Sequence, residues 1–270
     1  MRDTGGPTPE PMRAVVRSSR LRVGPACGAT VTLTQCDSTT CGAACILAAR
    51  LLRGLGPGAR GPRSTPGGPP GAGGPLPGRD LVARLAHLQR VVQTRMNQHG
   101  LGLLPWPSRL GSAPWSVATA MTRAWDQAGT VYVVRPVRDE GERWHQAVER
   151  VRALLGQGLP VILLAGGPLT TPQTAPQTAP DSGGPVGRAL GRALSAGPVI
   201  PRHYVLAMPW ALIGRTDPGA GRVPIYEPGS GTVRALDLLA PRARRGRGPR
   251  ELGSWPRVLA LIAPCEVEDA

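Results

Sequence analysis

The sequence predicts an α+β fold, and three observations carry that expectation. Apolar residues recur at helical spacing through the first half of the chain, and short apolar or β-branched runs bounded by Gly and Pro fill the second half. In addition, 41% of the 270 residues are hydrophobic, enough for a sizeable core. Helices from the first half packed on an antiparallel sheet from the second half satisfy all three.

Taken in chain order, residues 1–20 are polar and Pro-rich and read as a flexible tail. A helix is expected over 41–53, with Ser38, Thr39 and Thr40 available as N-cap donors, and it stops at Gly54. From 54 to 78, 17 of 25 residues are Gly or Pro, which cannot hold a helix and predict a surface insertion. Residues 79–96 put Leu81, Val82, Leu85, Leu88, Val91 and Val92 on one helical face. A third helix is expected over 114–129 with Pro114 in its first turn, a strand over 130–137, and a fourth helix over 142–158. Residues 159–166, 203–208, 223–229 and 257–264 read as strands. A second Gly/Pro-rich insertion is expected at about 166–201, where "TPQTAPQTAP" forms a short repeat, and a short tail at 265–270. One domain is therefore expected over 21–264, broken by two insertions.

The chain has no Lys and no Phe, and all 32 of its basic residues are Arg. Arg, Gly, Ala and Pro have GC-rich codons while Lys and Phe have AT-rich ones, so the bias reads first as a high-GC bacterial genome, which weakens arguments from charge. The formal charge of +15 includes one dense run, "PRARRGRGPR" at 241–250. No aromatic interleaves it and no paired Cys/His finger accompanies it, so no nucleic-acid partner is expected. No apolar run is long enough for a signal peptide or a transmembrane segment, which points to a cytoplasmic location. An odd count of five cysteines without a secretory signal argues against a disulfide framework.

Three of those cysteines fall within ten residues of "TQCDSTTCGAACILAARLL", 34–52. The spacing of Cys27, Cys36, Cys41 and Cys45 contains no C-x-x-C and fits neither zinc nor iron–sulfur ligation, so no metal or other cofactor is expected. A catalytic thiol needs a stabilised thiolate, a base and donors for an oxyanion. Cys41 meets these needs best, at a helix N-terminus where unpaired amides and the macrodipole favour an anion. Gly42, Ala43 and Ala44 leave room for a substrate backbone, and Gln35 lies close enough upstream to return its amide beside the Cys41 N–H. Cys45, one turn into the helix, reads as core and Cys36 as a turn residue.

The base must come from His87, His99, His145 or His203. His87 and His145 lie on amphipathic helices and His99 in a loop, whereas His203 opens a strand. The next strand ends in "IYEPGSG", whose Glu227 could orient the imidazole.

These residues resemble a known family. Gln35-x5-Cys41-Gly42-x-Ala44-Cys45 before an aliphatic helix is similar to the active-site segment of the bacteriocin-processing cysteine peptidases, papain-like domains that cleave leader peptides after a double glycine. The order "GLPVILL", His203 at a strand start, then "YEPGSG" agrees. The resemblance covers 31–52 strongly and 158–236 in outline. It implies a papain-like fold in which Gln35 is the oxyanion donor, Cys41 the nucleophile, His203 the base and Glu227 the orienting acid. It also implies a peptide or protein substrate with small residues, such as Gly-Gly, before the cut. The third residue in the family is usually Asp in a "DP" pair; here it is Glu227, with Asp217 in "DPGAG" a rival. No transporter segment follows, whereas many members are fused to one. A papain-like module that grips a peptide without cutting it is the alternative reading.

Overall fold

A computed structural model describes residues 12–25, 28–54, 78–98, 100–125, 129–167, 200–217, 219, 221–242 and 246–265. The bulk of both Gly/Pro-rich insertions, most of the N-terminal tail, Cys27, His99 and residues 266–270 lie outside the described residues.

The described residues form a mixed helix and antiparallel-sheet structure, as expected. The strands are β1 (Arg13–Arg17), β2 (Arg20–Gly24), β3 (Val31–Thr32), β4 (Tyr132–Pro136), β5 (Val161–Gly167), β6 (Ile200–Ala207), β7 (Arg222–Glu227), β8 (Thr232–Asp237) and β9 (Arg257–Pro264). They make one sheet in the order β1-β2-β8-β7-β6-β5-β9-β4, with β3 beside β2. The helices are α1 (Cys41–Leu52), α2 (Gly78–Asn97), α3 (Pro114–Ala124) and α4 (Glu142–Gly156).

The central strands are apolar on both sides because both sides are covered. On one face Ile162, Leu164, Tyr204, Leu206 and Tyr226 pack with α1, α2 and α3. On the other, Val161, Leu163, Val205, Val223 and Ile225 pack with α4 and with Leu252 of the 3-10 turn Arg250–Leu252. β5 accordingly reads as seven consecutive buried residues.

Four expectations need correction. Residues 13–17 and 20–24 form a hairpin rather than a tail: Ala14 and Val16 alternate inward between exposed Arg13, Val15 and Arg17, and Ser18 and Ser19 both take positive φ to close the turn. That turn has no Asn-Gly signal, which is why the sequence does not advertise it. The sheet is not confined to the second half either, since β1 to β4 precede α4, and β8 joins it beside β7. On α2, Val82 is exposed, and the inward face continues through Gln89, Gln93, Met96 and Asn97; the three side-chain amides donate to the Thr34, Thr39 and Gly111 carbonyls, and Gln89 Oε1 accepts from the Cys36 N–H. Finally, α3 ends at Ala124 rather than at 129, with Trp125 as its C-cap.

Helix α1 is the centre of the molecule, with ten of its twelve residues buried. Ala43, Ala44, Ala48 and Ala49 have no exposure, and a Cβ on Gly42 would come within 3.2 Å of Tyr204 Cδ2 and 3.4 Å of Val117 Cγ2. These small residues let α1 approach β6 and α3 closely; their burial corrects the expectation that they clear a path for substrate. Replacing Ala48 by Leu should therefore overpack the interface and cost about 1–3 kcal/mol, read as a lower urea midpoint with unchanged helical circular dichroism. An unchanged midpoint would contradict the close packing described for α1.

Candidate active site

The segment entering α1 is held by its own polar groups. The Cys36 and Asp37 N–H groups both donate to Thr40 Oγ1 at 3.2 Å, and Thr40 Oγ1 donates to the Asp37 carbonyl at 3.2 Å. Thr40 is the N-cap residue, yet its hydroxyl makes no cap bond to the helix. This corrects the expected capping role: the hydroxyl shapes the turn, and the Ala44 N–H makes the first helical bond to the Thr40 carbonyl at 2.9 Å. The N-terminal amides ahead of it, including that of Cys41, are the donors a helix leaves free at its start.

Cys41, His203 and Glu227 come together. The register of β6 and β7 pairs Leu206 with Tyr226 and Ala207 with Ile225, then the strands part, leaving His203 and Glu227 at the open end. There His203 Nε2 lies 2.8 Å from Glu227 Oε1, both residues buried. Because Nε2 faces Glu227, Nδ1 is the ring nitrogen left for another partner. Burial opposes a charged imidazole, but hydrogen-bonding and charge interactions with Cys41 and Glu227 outweigh it and raise the His203 pKa to about 9.

Glu227 is fixed by the turn that follows it. Oε1 accepts from the Gly229 N–H at 2.6 Å, while Oε2 accepts from the Ser230 N–H at 2.8 Å and the Ser230 hydroxyl at 2.6 Å. Burial raises the carboxyl's pKa, but the bonds from His203, Ser230 and Gly229 overcome this and lower it to about 2. A Cβ at Gly229 would sit 2.8 Å from Oε1, so the turn closes tightly on the carboxylate. Asp217 has no part in this cluster: it pairs with Arg152 at 2.7 Å and accepts from the Gly219 N–H at 2.8 Å, exposed beside α4.

Gln35 joins the same neighbourhood through its backbone. Its N–H donates to the Pro228 carbonyl at 2.7 Å, immediately after Glu227. The Gln35 side-chain Oε1 is buried without a hydrogen-bond partner among the described residues, an acceptor that is costly to leave unmade.

Among the described residues, Cys45, Cys36, His87 and His145 stand apart from this cluster. Cys45 is buried and donates to the Tyr204 carbonyl at 3.5 Å, and burial pushes its thiol well above the ordinary value. Cys36 sits in the turn near Asp37 and Thr40, and His87 and His145 are exposed on their helices. Among the described residues, no group of three or more His, Cys, Asp or Glu could hold a metal ion.

Residues not singled out from sequence complete the site. Gly253, at φ 64° and followed by Ser254 at φ 67°, backs the imidazole: a Cβ there would lie 2.8 Å from His203 Nε2. Nothing local in "RELGSWP" signals this, because the constraint is imposed by a ring fifty residues upstream. The Ser230 role was more legible, since an acidic residue before Pro-Gly-Ser is a turn that can wrap its own carboxylate.

No protein-family model, curated protein or solved structure shows a significant match to this chain. Among the described residues, no helix is long and apolar enough to cross a membrane.

Two outcomes follow from the His203–Glu227 pair. The raised His203 pKa contributes stability that is fully present below the ordinary value of 6.5 and lost as pH rises through about 9. The lowered Glu227 pKa contributes stability present above 4.5 and lost as pH falls through about 2. The gap in urea midpoint between wild type and Glu227→Gln should thus be widest between 4.5 and 6.5 and narrow on either side; a pH-independent gap would contradict the coupling. Gly253→Ala should push the imidazole off Glu227, seen by NMR as a fall in the His203 pKa toward its ordinary value; an unmoved titration would show that Gly253 does not seat the ring.

Proposed function

We propose that this protein is a papain-like cysteine peptidase, or a related amide hydrolase, acting through a thioester on Cys41. The observation that carries the reading is the buried His203 imidazole, bonded to Glu227 through Nε2 and interacting with the Cys41 thiol at the start of α1. A thiol at a helix N-terminus, beside an imidazole oriented by a carboxylate, is the arrangement that activates a sulfur nucleophile. The likeness of the Gln35-to-Cys45 segment to the leader-peptide peptidases supports the same reading.

In this scheme Cys41 gives its proton to His203 Nδ1, and Sγ attacks the scissile carbonyl, forming a C–S bond and an oxyanion. The Cys41 N–H and the Gln35 amide stabilise that oxygen. The intermediate collapses with cleavage of the C–N bond, and the leaving amine takes the proton from His203. Water then gives a proton to His203 as it attacks the thioester, the C–S bond breaks, and the carboxylic product leaves with Cys41 regenerated. Glu227 holds the ring in one orientation throughout and balances its charge.

Small residues before the cut fit the resemblance, and the chain's own Gly-Gly pairs raise self-processing. Of these, Gly166–Gly167 is buried in β5 and hydrogen-bonded between β6 and β9, so it is closed to cleavage while the sheet is intact; pairs 5–6, 67–68, 73–74 and 183–184 lie outside the described residues.

A thiol alkylator applied across a pH series, with mass-spectrometric localisation, tests the nucleophile. Cys41 should be modified selectively at mildly acidic pH and His203→Ala should abolish the selectivity; uniform slow labelling of all cysteines would sink the enzyme reading. In a peptide-library screen, Cys41→Ala should remove cleavage. Gln35→Ala should lower kcat by about a hundredfold, the usual cost of one oxyanion donor. Turnover by Cys41→Ala equal to wild type would overturn the assignment.

A further inference from the structure

The loop between α2 and α3 is the most apolar exposed surface among the described residues. Leu103 is 98% exposed, Leu110 68%, Leu104 64%, and Leu101 and Trp115 are each half exposed. Isolated exposed leucines need no explanation, but several on one loop mark a contact surface.

This loop is built to stay out. The Leu101 N–H donates to the Leu104 carbonyl at 3.0 Å, and Gly102 at φ 74° makes the tight turn that holds Leu103 at its tip. Below the tip, the Gly100 and Trp106 N–H groups both donate to the Asn97 carbonyl, at 3.2 and 2.8 Å. Asn97 Nδ2 in turn donates to the Gly111 carbonyl at 2.9 Å, and Trp115 Nε1 to the Gly100 carbonyl at 2.6 Å. Trp106 and Trp115 meet edge to face at 5.5 Å. The leucines therefore project from a clamped base and cannot fold back onto the core.

Charge selects the partner. From 81 to 125 there is no Asp or Glu but there are five Arg. Arg109 is exposed within the loop itself. Arg50, Arg95 and Arg123 line a groove of about 410 Å³ that ends at Trp115, floored by Ile46 and Met96. Each of the three lies in the last turn of its helix, where a cation complements the helix dipole. That accounts for their presence in single helices; it does not account for three converging on one groove beside an exposed indole, with no Asp or Glu among the described residues that line it.

We propose that the Leu101–Leu104 turn, with Trp106, Leu110 and Trp115 at its base and the arginines around it, docks on an anionic lipid bilayer. Leu103 stands out at the tip of the turn, as insertion into a headgroup layer requires. The leucines enter the acyl boundary, the tryptophans sit at headgroup level, and the guanidinium groups meet lipid phosphates. The base of the loop lies beside the segment that leads to Cys41, where a Cβ on Gly111 would lie 3.5 Å from the Thr39 carbonyl, and it is tied to β6 by the Tyr204 hydroxyl donating to the Ser112 carbonyl at 2.7 Å. Docking would thus hold the start of α1 close to the membrane surface. The proposal stands independently of the chemistry proposed for Cys41.

Flotation of the full chain with vesicles tests it, comparing pure phosphatidylcholine with vesicles containing about a quarter phosphatidylglycerol. The expected result is binding to the anionic vesicles only. Leu103→Asp with Leu104→Asp should weaken that binding by about tenfold or more with an unchanged melting temperature, since both positions are exposed. Arg109→Gln with Arg123→Gln should weaken it as well and flatten its salt dependence. Absence of flotation with anionic vesicles overturns the proposal. So does binding that the leucine pair leaves unchanged, which would assign it to charge alone. A dimer in sedimentation that the leucine pair dissolves, without vesicle binding, would assign the patch to a second copy of the chain.

Discussion

Helix α1 is enclosed by the sheet on one side and by α2 and α3 on others, and that enclosure fixes where its first residue can be. A helix with one solvated face can slide or roll by a fraction of a turn at little cost. This one has little freedom, because even a Cβ on Gly42 would press on Tyr204 and Val117, and Cys45 donates to the Tyr204 carbonyl. Tyr204 is the neighbour of His203, so the same contacts that pack the helix set the thiol of Cys41 against the imidazole. The position of the Cys41 thiol is thus a consequence of core packing.

The opposite wall depends on a polar arrangement that the core tolerates only because it is satisfied. Glu227 accepts four hydrogen bonds, one from His203 and three from the Gly229–Ser230 turn, so a buried carboxylate is kept charged without being stranded. β6 and β7 make room for it by parting after two residue pairs. Gly253 closes the far side of the ring, and the Gln35 backbone ties the incoming segment to Pro228.

The extra methylene of Glu227 relative to Asp has a visible use. Its carboxylate reaches back over its own turn while still meeting His203, so one side chain both caps a turn and holds the imidazole. Asp217, the other acidic residue before a Pro-Gly pair, instead caps its own loop and binds Arg152. Sequence offered both; only the position of β7 beside β6 separates them.

The elements whose signal is local are legible in the sequence alone. The small-residue helix after Cys41, the continuous apolar runs of β5 and β9, and the turn chemistry of Glu-Pro-Gly-Ser each state their structure within a few residues, because helix spacing, strand burial and turn formation are short-range. The sequence also singled out Cys41 at a helix start and Glu227 at a strand end, whereas His203, expected to open a strand, is the fourth residue of β6. The hairpin of β1 and β2 is not legible because its turn uses two serines and four of its ten strand residues are Arg, and β8 because only two of its six residues, Val233 and Leu236, are buried and they do not alternate. Tertiary structure alone decided that the small residues after Cys41 serve packing, that Thr40 shapes a turn rather than capping α1, and that Gly253 backs the imidazole. Each of those depends on an atom fifty or more residues away or on a competing hydrogen bond, and no local pattern carries that information.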